Sequence, residues 1–286
     1  FANYGYDKLA RKYGVKMVDL DREATGVVHV WDEKDFQPHP MRVAKMLLDD
    51  ESFIISAAKM KTHDRIVATL SLKNIVVGAP VKDEGFRWGK ACKRGAINQK
   101  PIVHGSGFYG INYNLFALAP RLHPHLAVID GYQAMEGNGP CHGKPVEHRV
   151  CLVSPDWLAA DRVAIELMGI DFTQVGYLNY CARALMGQAD LGKIEILGEP
   201  VARTFHEFQG RQPEVADGPG VGGTLRRGVR DRAGRVRPCA ALCRTGARAV
   251  LRRRGPRADR GHDLRVLRDA DRNGPGRTPD PGIGLY

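Results

Sequence analysis

The sequence lacks the features that would assign it at once to a familiar class of protein. It has no run of about 18 apolar residues, so no segment predicts a membrane-spanning helix. It also has no P-loop, no GxSxG and no GxGxxG that follows a predicted strand. These absences argue against a P-loop NTPase, a dinucleotide-dependent enzyme and a standard serine hydrolase.

Cysteine is scarce and its spacing carries no cofactor signature. The six cysteines include no CxxC pair and no iron–sulfur spacing, and they lie at Cys92, Cys141, Cys151, Cys181, Cys239 and Cys243. Cysteines at such intervals are more often small buried apolar residues than metal ligands. Because nothing requires disulfides, a reducing compartment and therefore the cytoplasm are favoured.

The end of the chain has no lysine, although it is strongly basic. Residues 211–286 contain 18 Arg and 8 acidic residues, for a formal charge of +10, whereas residues 1–210 sum to +1. Arg, Gly, Pro and Ala are typical of GC-rich codons read out of frame. We therefore predict a frame slip near residues 208–212, with an α/β domain at 1–208 and a disordered or mis-translated low-complexity tail at 209–286. The alternative is an Arg/Gly-rich arm that binds RNA phosphates, but such an arm requires no abrupt change of composition, so nucleic acid is disfavoured as a partner.

Short β-branched runs alternate with helical periods over residues 1–208. The predicted strands lie at 15–20, 27–30, 53–58, 126–129, 150–153 and 194–197. The predicted helices lie at 41–48, 112–119, 157–168 and 175–186, and 65–77 is ambiguous. This alternation predicts an α/β fold with a largely parallel sheet flanked by helices. The glycine-rich segment 78–110 has no clear period, which predicts a lid, a binding loop or an insertion.

A basic polar cluster follows the predicted strand at 53–58, at the end of a strand where open parallel sheets bind ligands. Lys59 and Lys61 share one face of an extended chain, and His63 follows them. Lys73 and Asn74 come at the far end of the next segment. Ammonium groups, an imidazole and a helix N-terminus suit a phosphate or carboxylate. A solvated basic loop is an equally supported alternative.

An acidic cluster follows the predicted strand at 126–129. Asp130 comes at the end of this strand, and Glu136 and Asn138 come in the glycine-rich loop predicted after it. Two carboxylates and an amide oxygen can bind Mg²⁺ or Ca²⁺, and the carboxylates can alternatively act as general acid and general base. The alternative is an ordinary turn, which explains Asn138 better than the two acids. Further along, Asp161 lies at the edge of an apolar helical face, where we predict a structural role.

Together these motifs resemble an uncharacterised family, the domain of unknown function 362. The resemblance covers about residues 1–200 and rests on Lys59-Met60-Lys61-Thr62-His63, 70–74, 128–131 and Met135-Glu136-Gly137-Asn138-Gly139-Pro140. It implies an α/β domain whose first strands lie upstream of Phe1, so that this chain is a truncated fragment. It implies no settled activity. Some relatives carry ferredoxin-like iron–sulfur modules, but this chain has no iron–sulfur motif.

The sequence therefore predicts a polar cleft that binds a small anionic ligand, with a divalent metal as a candidate bridge. The predicted ligand-binding residues are Lys61, Lys73, Asn74 and Asn138. The predicted catalytic residues are His63, Asp130 and Glu136, of which Asp130 and Glu136 are also the predicted metal ligands. Two alternatives stay open, a non-catalytic partner of an iron–sulfur redox protein and RNA binding through the tail. Whether the chain is an enzyme also stays open.

Overall fold

A computed structural model of the protein describes residues 5–87, 90–91, 93–210, 247–253 and 262–268. The helices are α1 (Tyr6–Tyr13), α2 (Ser71–Gly78), α3 (Lys100–Val103), α4 (Phe108–Leu118), α5 (Trp157–Leu167), α6 (Gly176–Arg183) and α7 (Val201–Thr204). The strands are β1 (Thr25–Trp31), β2 (Pro38–Ala44), β3 (Ile55–His63), β4 (Val67–Thr69), β5 (Phe86–Arg87), β6 (Lys90–Ala91), β7 (Leu126–Asn138), β8 (His142–Val146), β9 (Val150–Ser154), β10 (Ile194–Gly198), β11 (Ala247–Arg253) and β12 (His262–Arg268).

The main sheet is mixed, so the prediction of a largely parallel sheet is wrong. Its strand order is β10-β12-β11-β9-β7-β3-β4, with β8 paired to β7. β3 and β7 are parallel, but β7 is antiparallel to both β8 and β9. Residues 147–149 alone separate β8 from β9, whereas a parallel connection needs a crossover of about a dozen residues or more. Residues 126–154 therefore form one long, bent hairpin.

Two local predictions are also wrong, and the remaining predicted elements of 1–208 are present with shifted ends. Residues 38–48 form β2 and a short 3₁₀ turn, and β2 pairs with β1. Pro38 and Pro40 favour extended backbone, so the apolar residues that follow keep a strand period, with Met41 and Val43 buried. The predicted strand at 15–20 is instead irregular chain that ends in a 3₁₀ turn at Leu20–Arg22.

One face of β3 is buried. Ser56, Ala58 and Met60 are buried in alternation with the exposed Ile55 and Ala57. Helix α2 packs on the buried face, where Ser56 Oγ donates to Ser71 O at 2.9 Å. Helix α5 in turn packs against α2 and β7. The strand and the two helices thus share one core, and the first turn of α2 lies against the beginning of β3.

Asp161 of α5 caps the first turn of α2. Its Oδ1 accepts from Ser71 N at 2.9 Å and from Ser71 Oγ at 2.6 Å, and its Oδ2 accepts from Leu72 N at 3.2 Å. The carboxyl is completely buried, and this burial raises its pKa to about 7, although the three donors act in the opposite direction. The predicted structural role of Asp161 is therefore confirmed.

We call residues 205–209, which follow α7, the strap. The strap contacts the end of α5 and the end of β7. Its backbone N–H groups at His206 and Phe208 donate to Leu167 O and Met168 O, each at 2.9 Å. The Phe208 side chain lies in the core with 1% of its surface exposed. The strap thus joins the end of α5 to the core.

Two segments of the basic tail, β11 and β12, are strands of the main sheet. The rest of the tail lies outside the described residues, and the frame slip stays a prediction. Across the described part of the chain, every helix is too short or too polar to cross a membrane.

Replacing Asp161 with Ala is expected to lower the free energy of unfolding by about 3 kcal/mol or more. The substitution leaves two backbone N–H groups and a hydroxyl without their acceptor in the core, and each unsatisfied group costs roughly 1–3 kcal/mol. Chemical denaturation measures the change. Asp190 is the control, because it is exposed and caps only the 3₁₀ turn Leu191–Lys193, so Asp190→Ala should cost about 1 kcal/mol. Equal losses in the two variants would contradict the assigned role.

Candidate functional site

The basic and acidic motifs meet at the end of β3. Three hydrogen bonds join them, from Thr62 Oγ1 to Gly137 O (2.9 Å), from Asp64 N to Gly139 O (3.1 Å) and from Lys61 Nζ to Pro140 O (3.3 Å). The second motif lies in β7 and in the turn to β8, rather than in a loop after a short strand. The tip of the β7–β8 hairpin is therefore held against the strand that carries Lys61 and His63.

Two glycines that resemble turn residues in the sequence are required by close packing instead. A Cβ at Gly131 would lie 2.6 Å from Val150 Cγ2, and a Cβ at Gly139 would lie 1.9 Å from Thr62 O. Only glycine permits such close approaches of the backbone. This requirement explains why β7 continues through a glycine-rich sequence that predicts a loop.

The predicted acidic residues are engaged with different partners. Asp130 Oδ2 lies 2.8 Å from Lys59 Nζ on the exposed face of the sheet, where both side chains are about half exposed. Glu136 Oε2 accepts from Gln209 N at 2.9 Å and lies 4.0 Å from His206 Nε2, so this carboxylate binds the strap. The described residues include no group of three or more His, Cys, Asp or Glu arranged to hold a metal. The metal at Asp130 and Glu136 therefore stays a prediction.

The two predicted amide residues lie apart from each other. Asn74 Nδ2 donates to Ser56 Oγ at 3.1 Å, near the beginning of β3, whereas Lys61 lies near its end. Asn138 pairs with His142 and closes the β7–β8 hairpin beside the Lys61 contact. The structure thus brings Asn138 towards Lys61 and His63 and leaves Asn74 at the opposite end of the strand.

Lys73 is the most unusual charged residue in the described part of the chain. It lies on α2 with only 6% of its surface exposed, and its ammonium has no hydrogen-bond acceptor among the described residues. The ammonium is not among the completely buried polar atoms without a partner, so its tip reaches water. Burial lowers its pKa to about 8; Lys61 and Lys100 act in the same direction, and Asp64 and Cys141 act against it.

His63 is buried and neutral. Its Nδ1 lies 3.1 Å from the backbone N–H of Arg65, a donor, and also faces the Asp64 carboxylate, an acceptor, so these two contacts select opposite ring tautomers. Burial first, and then the charge of Lys73, lowers the pKa of the imidazole to about 3. Nδ1 also lies 2.9 Å from Asp64 Oδ1, but because the ring is uncharged at neutral pH this contact is not an ion pair.

His104 joins this environment although the sequence did not single it out. Its Nδ1 lies 3.0 Å from Lys100 O, an acceptor only, so Nδ1 carries the proton and Nε2 keeps a free lone pair. Burial lowers its pKa, as do the charges of Lys73 and Arg65. The available signal was the glycine-rich segment 78–110, predicted as a lid, a binding loop or an insertion, which contains His104.

The turn that follows His63 is strained. Val67, which pairs with His63 across β3 and β4, has φ of +70°. A β-branched residue is a genuine outlier at positive φ, and strain of this kind is concentrated at functional sites. The strained turn 64–67 carries Asp64 and Arg65, two of the charged residues around the buried imidazole and ammonium.

We call Lys61, His63, Lys73 and His104 the cationic pocket, because the charges of these groups act on one another's pKa. It combines two ammonium groups with two imidazoles, and the backbone fixes the tautomer of His104. His104 offers a nitrogen acceptor. Such an arrangement can neutralise an anionic group, donate ammonium hydrogen bonds to it and accept one from a neighbouring hydroxyl.

The fold and this pocket define an α/β domain with a cationic site at one end of its sheet. The chain belongs to the family described as domain of unknown function (DUF362), whose model matches residues 1–166, and the resemblance stated from the motifs is confirmed. The chain is also 27% identical over 169 residues to a thylakoid-associated protein of Synechocystis sp.. That alignment covers 59% of this chain and 46% of the relative, so the chain spans less than half of the relative's length. No solved structure matches the chain significantly.

Gly139→Ala is expected to separate the hairpin tip from β3 and to lower the free energy of unfolding by about 3 kcal/mol. The new methyl group would overlap the Thr62 carbonyl, and the hydrogen bonds of the tip would be lost with the contact. Gly78→Ala is the control, since a Cβ there meets nothing within 4 Å. Thermal and urea unfolding of the two variants measure the difference. A Gly139 variant as stable as the Gly78 variant would show that the close approach is unimportant.

Proposed function

We propose that the protein binds a small molecule with a phosphate or carboxylate group in the cationic pocket. The observation that carries this proposal is the nearly buried side chain of Lys73, whose ammonium reaches water only at its tip and has no acceptor among the described residues. Largely buried charges in proteins are ordinarily paired, because an unpaired charge is costly to remove from water. A bound anion would supply the missing partner.

The neighbouring groups support an anion rather than a cation as the ligand. Lys61 and Lys100 add positive charge around Lys73, while only Asp64 and Cys141 among its principal electrostatic partners act in the opposite sense. Lys61 Nζ and Lys73 Nζ can donate to an anionic oxygen, and His104 Nε2 can accept from a hydroxyl next to it. The expected ligand class is therefore a hydroxylated phosphate or carboxylate.

The two alternative functions do not explain the buried lysine. Docking of an iron–sulfur protein and RNA binding through the tail both require exposed surfaces, whereas Lys73 lies behind β3 and the hairpin tip. The divalent metal at Asp130 and Glu136 is a separate prediction, and the proposed site does not require it. Catalysis also stays a separate question, for which His63 is the predicted acid or base.

Inorganic phosphate is expected to raise the melting temperature of the full chain, and Lys73→Met is expected to remove this shift and to weaken phosphate binding at least tenfold. Without phosphate, Lys73→Met should be as stable as the parent or more stable, because it replaces an unpaired buried charge with an apolar side chain. Thermal shift assays and titration calorimetry measure both effects.

Lys59→Met is the matched control for this experiment. It removes the same charge from the same region, but Lys59 is about half exposed and is paired with Asp130. Its phosphate-dependent shift should equal that of the parent. If Lys73→Met keeps the full shift, or if Lys59→Met loses as much of it, the proposed site is wrong.

Anion affinity is expected to fall as the pH rises through about 8. The folded-state pKa of Lys73 is lowered from 10.5 to about 8, so the ammonium loses its proton in this range while exposed lysines keep theirs. Sulfate is the suitable probe, because its charge is constant between pH 7 and pH 9. Calorimetric titrations at the two pH values should show weaker binding at pH 9 for the parent and for Lys59→Met. An affinity that stays constant with pH would contradict the assignment of Lys73.

A further inference from the structure

The imidazole of His148 is buried against the strap. This residue has 6% of its surface exposed, and the rings of His206 and Phe208 lie against its ring, with centroids 5.8 and 5.3 Å away. His148 Nε2 contacts the carbonyl oxygen of Thr204, the residue directly before the strap. Because both rings belong to the strap, opening of the strap would expose this imidazole to water.

The contacts of this imidazole require it to be neutral. A carbonyl oxygen can only accept, so Nε2 of His148 carries the ring proton and Nδ1 keeps a lone pair. Nδ1 is completely buried and has no hydrogen-bond partner among the described residues. Protonation would therefore place a second N–H and a positive charge at a position where the N–H has no acceptor. The closed strap is compatible only with the uncharged ring.

His206 is the titratable residue whose ring contacts this imidazole. Glu136 of β7 lies beyond it, with Oε2 4.0 Å from His206 Nε2. The other charged side chains on the adjoining segments are paired with each other or exposed: Glu147–Arg149, Glu199–Arg203 and Glu207. Burial lowers the pKa of His148 to about 4, although the hydrogen bond to the carbonyl acts in the opposite direction; the charge of His206 lowers the pKa further.

The strap also holds the end of β7. Gly137 N donates to Gln209 O at 2.8 Å, and Gln209 N donates to Glu136 Oε2 at 2.9 Å. The carbonyl of the same glycine accepts from Thr62 Oγ1 at 2.9 Å. Gly137 is therefore bonded to the strap through its N–H and to β3 through its carbonyl. Opening of the strap would remove one of these two attachments of the β7–β8 hairpin.

We infer that the strap is an acid-sensitive latch, in which binding of a proton by His148 opens residues 205–209 and releases the end of β7. The proton comes from solvent and binds Nδ1 once the two rings have moved away from it. The neutral imidazole favours the closed strap, and the charged imidazole favours the open strap. This inference does not depend on anion binding, so it can fail while the proposed function stands.

The ratio of open to closed strap is expected to rise about 30-fold between pH 7.5 and pH 5. The exposed imidazole has the ordinary pKa of 6.5, whereas that of the covered imidazole is about 4. The closed strap is therefore fully favoured above pH 6.5, and this preference is lost as the pH falls towards 4.

Hydrogen exchange of the full chain, read by peptide mass spectrometry, measures the opening. After correction for intrinsic exchange rates, peptides that cover the strap and the end of β7 should lose about 30-fold in protection at pH 5. The buried helix α5 is the internal reference and should lose much less. Equal losses in the strap and in α5 would indicate unfolding of the whole domain and would contradict a latch.

Two variants identify the sensor. His148→Gln keeps a donor for the Thr204 carbonyl but has no group that titrates, so the protection of its strap should be the same at both pH values. His206→Gln is the matched control, because it removes the other imidazole of the pair, whose side chain is 38% exposed. This control should keep most of the pH dependence.

The parent chain already tests the inference without any variant, since constant protection of the strap between the two pH values would overturn it. A pH dependence that survives His148→Gln, or that disappears in His206→Gln, would overturn it as well, because the sensor would be another residue. The phosphate-dependent melting shift at pH 7.5 tests the anion site separately, since the strap is closed at that pH.

Discussion

A buried carboxylate positions the groups on which the proposed function depends. Asp161 holds the first turn of α2 through Ser71 and Leu72, and Lys73 is the next residue along the helix. The same contact joins α5 to α2 and thereby fixes the helix against β3. The cap therefore fixes the position of the helical turn that carries Lys73, which is 6% exposed.

The site is assembled from separate segments by close approaches of the backbone. The end of β3 supplies Lys61 and His63, α2 supplies Lys73, and His104 directly follows α3. The hairpin tip completes the arrangement because Gly139 lies directly against the Thr62 carbonyl. The Lys59–Asp130 pair on β3 and β7 differs from Lys73, because both of its side chains are exposed to water and each charge has a partner. That pair is therefore expected to contribute little to stability or binding.

Several parts of this arrangement were predictable from local sequence. The motif that contains Lys61 and His63 follows a strand with clear alternation, and Asp161 lies at the edge of a clear helical face, so both gave reliable local signals. The role of Glu136 was not predictable, because its carboxylate binds the strap, which is more than 70 residues further along the chain. His104 was missed because a histidine in a glycine-rich segment has no periodic pattern that reveals its burial. The direction of β9 was missed because strand content alone does not distinguish a hairpin from a crossover.

The sequence by itself determined the membership of the family, the α/β class and the two polar motifs at strand ends, because these depend on residue order and on periods of two and 3.6 residues. Only the tertiary structure decided which charges are buried and which are paired. It left Lys73 without an acceptor among the described residues and gave Asp130 and Glu136 separate partners. The physical reason is that desolvation and pairing depend on the neighbours of a side chain in space, and residues far apart in the sequence supply those neighbours.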